Sequence, residues 1–266
     1  MPWSPGRRAA PGRRSGRPTA APVTVGAVVD LSAGDERYRG DHGAADPAVA
    51  TALAAYAAGT GGEQATLAAL AGSRLLVPVV AVLAAELAGA DQLPSAAAIA
   101  GDKASEMAMP KIIGRDGRQA LPAFTSIAAV QQWRPAARPV PVAATAVWQS
   151  AVQESCAVVI DIAGPVPIVV EGSRLAALAA GGAVPGMHED PDVWQQVAAA
   201  AAAVAPGIRV RLSQPNGGLD FTLELAPPAG SAGLVPEEVA TSVADAVHDR
   251  LPGRIRAGIA VLRRPG

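Results

Sequence analysis

The stretch MAMPKIIGRDGRQALPAFTS, residues 107–126, holds two apolar runs about a polar break. EMAMPKIIG and RQALPAF read as strands joined through Arg115-Asp116-Gly117-Arg118. Asp-Gly between apolar runs is a hairpin signal, because a type I′ turn needs positive φ at both central positions. Thr125 or Ser126 then offers a side-chain oxygen to the free N–H groups of a short helix running through Trp133. Strands that feed straight into a helix predict a mixed α/β domain.

Upstream, Val49, Leu53 and Tyr56 recur at helix spacing from Pro47 until Gly59-Thr60-Gly61-Gly62 breaks the chain. A second helix is predicted from Glu63 to Ala71, stopped by Gly72. RLLVPVVAV reads as a buried strand, with Pro78 arguing for a sheet edge or a bulge. The Ala-rich residues 86–105 read as a long loop. Residues 1–22 are rich in Pro, Gly and Arg, lack periodicity and are expected to be a disordered basic tail.

Downstream, the X-Pro steps make ARPVPV extended. A helix near Ala143–Glu154 leads into strand CAVVIDI, Gly164-Pro165 turns it into PIVVE, and Leu175 and Leu178 mark a helix closed by Gly181-Gly182. This domain spans 23–182. GGAVPGMHED supplies a linker over 183–190, and a second unit fills 191–266. There Asp190 caps a helix with Pro191 at its first position, and Val193, Val197 and Val204 form its apolar stripe. GIRVRLS and LDFTLEL alternate, with Ile208, Val210 and Leu212 sharing a face with Leu219, Phe221, Leu223 and Leu225. A helix from Pro236-Glu237-Glu238 buries Val239, Val243 and Val247, and IRAGIAVL is a third strand. The fold class is α+β: a mixed α/β N-terminal domain, then a small two-layer α-β-β-α-β module with an open sheet.

Half of the 266 residues are hydrophobic, enough for real cores, but aromatics are scarce, so Ala, Val and Leu must fill them. Five of the 22 basic side chains stand in the first 20 residues; the remainder holds 17 against 23 acids, a net of −6. A mildly acidic body gives no reason to expect nucleic acid as a partner. The longest apolar run, LLVPVVAVLAA, is too short for a bilayer, which needs about 20 residues. No apolar stretch resembling a signal peptide follows the basic start, so a cytoplasmic protein without membrane attachment is expected. Cys156, the only cysteine, excludes an intramolecular disulfide and sits in an apolar run that favours an inert thiol.

Reactive constellations are missing from the sequence. There is no G-x-S-x-G elbow, no phosphate-binding G-x-x-x-x-G-K-[ST] and no G-x-G-x-x-G, so no catalytic residue and no cofactor is expected. His42, His188 and His248 are isolated, without zinc-ligand spacing. The acid pairs have structural readings: Glu237-Glu238 in a helix first turn, Glu189-Asp190 in linker and cap. Asp161 ends an apolar strand, where Gly164-Pro165 makes a turn explanation adequate. What remains is a basic cluster: Lys111, Arg115, Arg118, Arg134 and Arg138 face only Asp116 as an acid over residues 107–138. They read either as one anion- or partner-binding surface or as ordinary solvated arginines.

An N-terminal helix pair, the strand RLLVPV, then DGR, LPAFTS, Trp133, Arg138-Pro139-Val140-Pro141 and DIAGP, in that order and spacing, resemble the SseB N-terminal domain in an actinobacterial-type SseB family protein. The resemblance covers about residues 46–182. It implies an α+β domain and brings no reaction, cofactor or catalytic residue. The expectation is a non-catalytic protein that binds a protein partner through Arg115, Asp116, Gly117, Arg118, Phe124, Thr125, Ser126, Trp133 and Arg138. The alternative is a sensor or enzyme for an amino-acid-like ligand, suggested by the enhanced-serine-sensitivity phenotype that names the family and by arginines able to hold a carboxylate. The open sheet edges of the second unit offer a third role, homo-oligomerisation.

Overall fold

In a computed structural model of the chain, the structure describes residues 23–25, 36–81, 107–108, 110–114, 116–215 and 218–266. The basic tail 1–22, the loop expected at 86–105 and Arg115 lie outside the described residues.

Helix α1 (Pro47–Ala57) starts where predicted, with Asp46 Oδ1 accepting from the N–H groups of Ala48 and Val49 at 2.8 and 3.3 Å. It buries Val49 and Tyr56, and α2 (Glu63–Ala71) buries Leu67 and Leu70. Strands β1 (Val23–Val25), β4 (Pro110–Ile113), β5 (Gln119–Ala123), β7 (Ala157–Ile160) and β8 (Ile168–Val170) form one sheet in the order β1-β4-β5-β7-β8. Strand β2 (Arg74–Ala81) lies between β3 (Met107–Ala108) and β6 (Arg138–Ala143) in another. Leu76 and Phe124 exchange backbone hydrogen bonds of 2.7 and 2.9 Å, which tie β2 to the end of β5. Helix α3 (Ile127–Trp133) packs on a smaller cluster with Leu76 and Phe124. Helices α4 (Ala144–Gln153) and α5 (Gly172–Ala179) complete the first core, where Trp148, Leu67, Leu75, Leu121 and Ile160 are fully buried.

One local expectation changes. The hairpin turn is not type I′. Gly117 has φ +79°, and the backbone bonds around it decide the turn. Gly117 N–H donates to Gly114 and Gly114 N–H to Arg118, at 3.0 and 2.8 Å, closing a three-residue loop that needs one left-handed position. Pro78 faces Pro139 of β6 in register, so two residues without N–H oppose each other. On its other side β2 pairs with β3 only at Val80 and Ala81, so among the described residues Pro78 has no ladder partner there.

The second core is the predicted α-β-β-α-β unit: α6 (Pro191–Val204), β9 (Arg209–Ser213), β10 (Phe221–Ala226), α7 (Glu237–Arg250) and β11 (Ile259–Arg263). Its sheet order is β11-β10-β9, with β9 antiparallel and β11 parallel to β10. The register Leu212↔Leu223 and Val210↔Leu225 keeps one apolar face, as alternation requires. Val193, Val197, Ala200 and Ala201 of α6 and Val243 and Val247 of α7 cover Phe221, Leu223 and Leu225. Val204, expected in the stripe, is exposed at the helix end. The stretch expected as a linker is packed: Val184 joins the first core and Met187 the second, and Asp190 is wholly buried.

Phe124 is completely buried and anchors the junction of the two N-terminal sheets. Phe124→Ala should therefore lower unfolding stability by about 3–5 kcal/mol, measured as a fall in the urea midpoint; a loss below 1 kcal/mol would refute that placement.

Candidate functional site

The residues singled out in the sequence occupy opposite ends of β5, about 20 Å apart at ~3.3 Å per residue. Asp116, Gly117 and Arg118 stand at its start. Arg118 Nε donates to Asp116 Oδ2 at 2.5 Å and its Nη1 to Glu171 Oε2 at 2.7 Å. At the far end, each residue has an internal task. Phe124 is buried against Trp133, their ring centroids 5.3 Å apart. Thr125 donates through N and Oγ1 to Asp161 at 2.9 and 2.7 Å, and Ser126 Oγ caps α3 by accepting from Ala129 N–H at 3.2 Å. Arg138 is exposed at the start of β6. The basic cluster also disperses: Lys111 pairs with Glu154, and Arg134 lies 4.9 Å over the Trp133 ring. The neutralising acids, Glu154 and Glu171, come from beyond residues 107–138.

Between the two cores lies a group that sequence reasoning missed. Glu63, buried at the start of α2, takes Arg174 Nη1 at 2.5 Å and Arg254 Nη2 at 2.7 Å. The same Arg254 Nη2 donates to Asp190 Oδ2 at 2.8 Å. Asp190 also accepts from Ser173 Oγ at 2.6 Å while capping α6 through the Asp192 N–H at 2.9 Å. Asp192 Oδ2 in turn accepts from the Ser173 N–H at 2.7 Å, at the N-terminus of α5. Gly172 has φ +61°, and a Cβ there would collide with that Asp192 oxygen. Next to this cluster, Tyr56 Oη donates to Gly253 at 2.7 Å, and Arg256 lies 5.3 Å from the Tyr56 ring centre while reaching the Ala57 carbonyl at 3.1 Å. Asp220 Oδ2 holds this loop by accepting three successive N–H groups, those of Arg256, Ala257 and Gly258, at 2.7–3.0 Å.

Burial and charge set the titration of these groups in opposite directions. Burial pushes the Asp190 carboxyl up, but the bonds from Ser173 and Arg254 outweigh it and hold it below its usual range. Burial likewise works against the Arg254 cation, and Glu63 and Asp190 reverse it, leaving its pKa raised. For Arg174 burial prevails over Glu63, and its pKa is lowered. The Tyr56 hydroxyl is pushed up to about 12 by burial and by the Glu63 charge.

The two cores leave an open cleft of about 640 Å³ over this cluster, reached by Arg118, Glu171 and Val169 from one side and by Gln195, Arg250 and Pro252 from the other. A second cavity of about 330 Å³ adjoins it, shares Arg118, Glu171 and Gly172, and extends past Val152 and Cys156. The Arg118–Glu171 bridge thus borders both spaces. Cys156 is buried, and that burial raises its thiol pKa, as for an inert cysteine. Among the described residues no three His, Cys, Asp or Glu side chains are grouped to hold a metal ion, and no helix is long and apolar enough to cross a membrane.

Fold and site define an α+β protein whose second core is fastened to the first by buried charge and whose cleft runs between them. It is an SseB family protein: residues 49–177 match the SseB protein N-terminal domain. No curated protein and no solved structure matches the chain. The matched region contains Glu63 and Arg174, whereas Asp190 and Arg254 lie beyond it.

Removing one member of such a cluster strands its buried partners. Arg254→Ala should cost about 3–5 kcal/mol, seen as a lower urea midpoint; an unchanged midpoint would show that the cluster does not join the cores.

The pH dependence has two arms. Asp190 titrates lower folded than unfolded, so its stabilisation is full above the ordinary value of about 3.9 and disappears as pH falls through the lowered one. Tyr56 titrates higher folded, so its stabilisation holds below about pH 10 and disappears as pH rises through about 12. Ultraviolet titration of tyrosinate should show a late phenol that Tyr56→Phe abolishes; loss of an early phenol instead would contradict the assignment.

Proposed function

We propose that this SseB family protein is a cytoplasmic, non-catalytic protein that binds a partner protein on the face where Arg118 and Glu171 separate the two cavities. The observation that supports it is the pair of apolar side chains set there in solvent: Val152 is 46% and Val169 43% exposed beside an exposed arginine. Apolar side chains grouped with arginine in open concave surface are the composition of protein-binding patches. This face keeps Asp116 and Arg118 from the surface expected in the sequence. It leaves out Phe124, Thr125 and Ser126, whose internal bonds account for them.

A second reading, ligand sensing, is supported by the cleft itself. A volume of about 640 Å³ at the junction of two cores suits a small molecule.

Arg118→Ala combined with Val169→Thr tests partner binding, because both side chains are exposed. The first change loses only surface ion pairs and the second keeps a β-branched residue in β8, so folding should change by no more than about 1 kcal/mol. Affinity capture on the full chain should lose specific partners with the double variant while its urea midpoint is kept. An identical set of captured partners would end the assignment to this face.

A further inference from the structure

The charges that line the cleft are not equally engaged. Of its four arginines, Arg118 is paired with Asp116 and Glu171, and Arg174 and Arg254 with Glu63. Its acids are engaged as well: Glu63 and Glu171 by those arginines, Asp192 by the Ser173 N–H. Arg250, the exposed last residue of α7, has neither an ion pair nor a side-chain hydrogen bond among the described residues. Its position suits the α7 dipole, but that engages none of its five N–H donors.

Two neighbours share this surplus. Gln195 and Gln196 reach the cleft from the second turn of α6, exposed and without side-chain hydrogen bonds among the described residues. Arg174, buried in the cleft wall, keeps its Nε–H without an acceptor; Asp190 Oδ2 stands 4.0 Å away, beyond hydrogen-bond reach. A buried guanidinium N–H left unmatched is costly, and an oxygen acceptor relieves it. The cleft also carries apolar surface, from Pro167 and Val169 on one side and from Pro252 on the side of Arg250.

We infer that the cleft binds a compact organic anion, a carboxylate or phosphate monoester, with its charged end on Arg250 beside Gln195 and Gln196 and its apolar body against Val169 and Pro252. A planar guanidinium with free donors matches two oxygens of either headgroup. The inference rests on the ligand-sensing reading of the cleft and does not depend on partner binding.

Phenylacetate and phenyl phosphate serve as probes, with phenethylamine as a cation of the same body, titrated into the full chain and followed by backbone amide NMR. Saturable shifts are expected with the anions at the amides of residues 168–172, 250–251 and 253–254, and the tighter of the two identifies the headgroup. Arg250→Gln should weaken binding roughly tenfold or more, the loss of charge-assisted hydrogen bonds. Arg211→Gln, in the module's sheet, should leave it unchanged. Equal binding by Arg250→Gln would overturn the proposal. Shifts with phenethylamine alone would retain a ligand cleft but reject the anion, and no shift with any probe would reject both.

Discussion

Four charges out of water govern how this molecule is assembled. Taking Glu63, Arg174, Asp190 and Arg254 into the interior carries a desolvation cost of several kcal/mol for each ion, recovered only where the partners stand within bonding distance. They do, through contacts of 2.5–2.8 Å. Such bonds are directional, unlike apolar contact. The two largest hydrophobic clusters are separate, one ending at Val184 and the other beginning at Met187, so the relation between the cores is fixed by polar geometry. Asp190 shows how closely this is integrated. The carboxylate that starts α6 also receives Ser173 and Arg254, so helix position and docking are set by one side chain.

A second polar joint orders the interior of the SseB domain. β5 and β7 run parallel, so their ends must be brought into register across a long crossover. Asp161 does this at the end of β7. Its φ of +47° is uncommon for a residue with a side chain and costs of order 1–3 kcal/mol, while the two bonds from Thr125 hold it. Burial raises the Asp161 carboxyl pKa, and the Thr125 bonds moderate the rise. Phe124, Thr125 and Ser126 therefore perform three separate tasks: joining sheets, holding Asp161 and starting α3. That explains why the stretch reads so clearly as structure.

Legibility in the sequence followed the range of the interactions. Local patterns were readable. Helix spacing located α1, alternation gave the shared apolar face of β9 and β10, Asp190 declared itself as a cap, and Ser126 was one of two cap candidates with Thr125. The hairpin was legible as a loop but not as a turn type, because its closing bonds join Gly114 to Gly117 and Arg118 rather than the ends of a two-residue turn. The charge cluster left no local trace: Glu63 is 191 positions from Arg254 and 111 from Arg174. In a window of sequence Glu63 is only a favourable acid in a helix first turn. Arg118 was noticed, but its partner Glu171 is 53 positions away, so what looked like a free cation is an ion pair.

The same distances bear on where function can reside. Within residues 49–177 Glu63 and Arg174 already form a pair, but one acid and one cation of the cluster come from outside. The cleft is likewise built from both sides, with β8 and the start of α5 facing α6 and the end of α7. A site of this kind is a property of the joined chain and belongs to neither core alone. Its donors are therefore tied to the docking geometry: any shift of the second core that lengthened the Arg254 bonds would also move Arg250, four positions away in the same segment. A ligand gripping Arg250, as proposed, would therefore stabilise the docked arrangement through residues 250–254 by the free energy with which it prefers that arrangement.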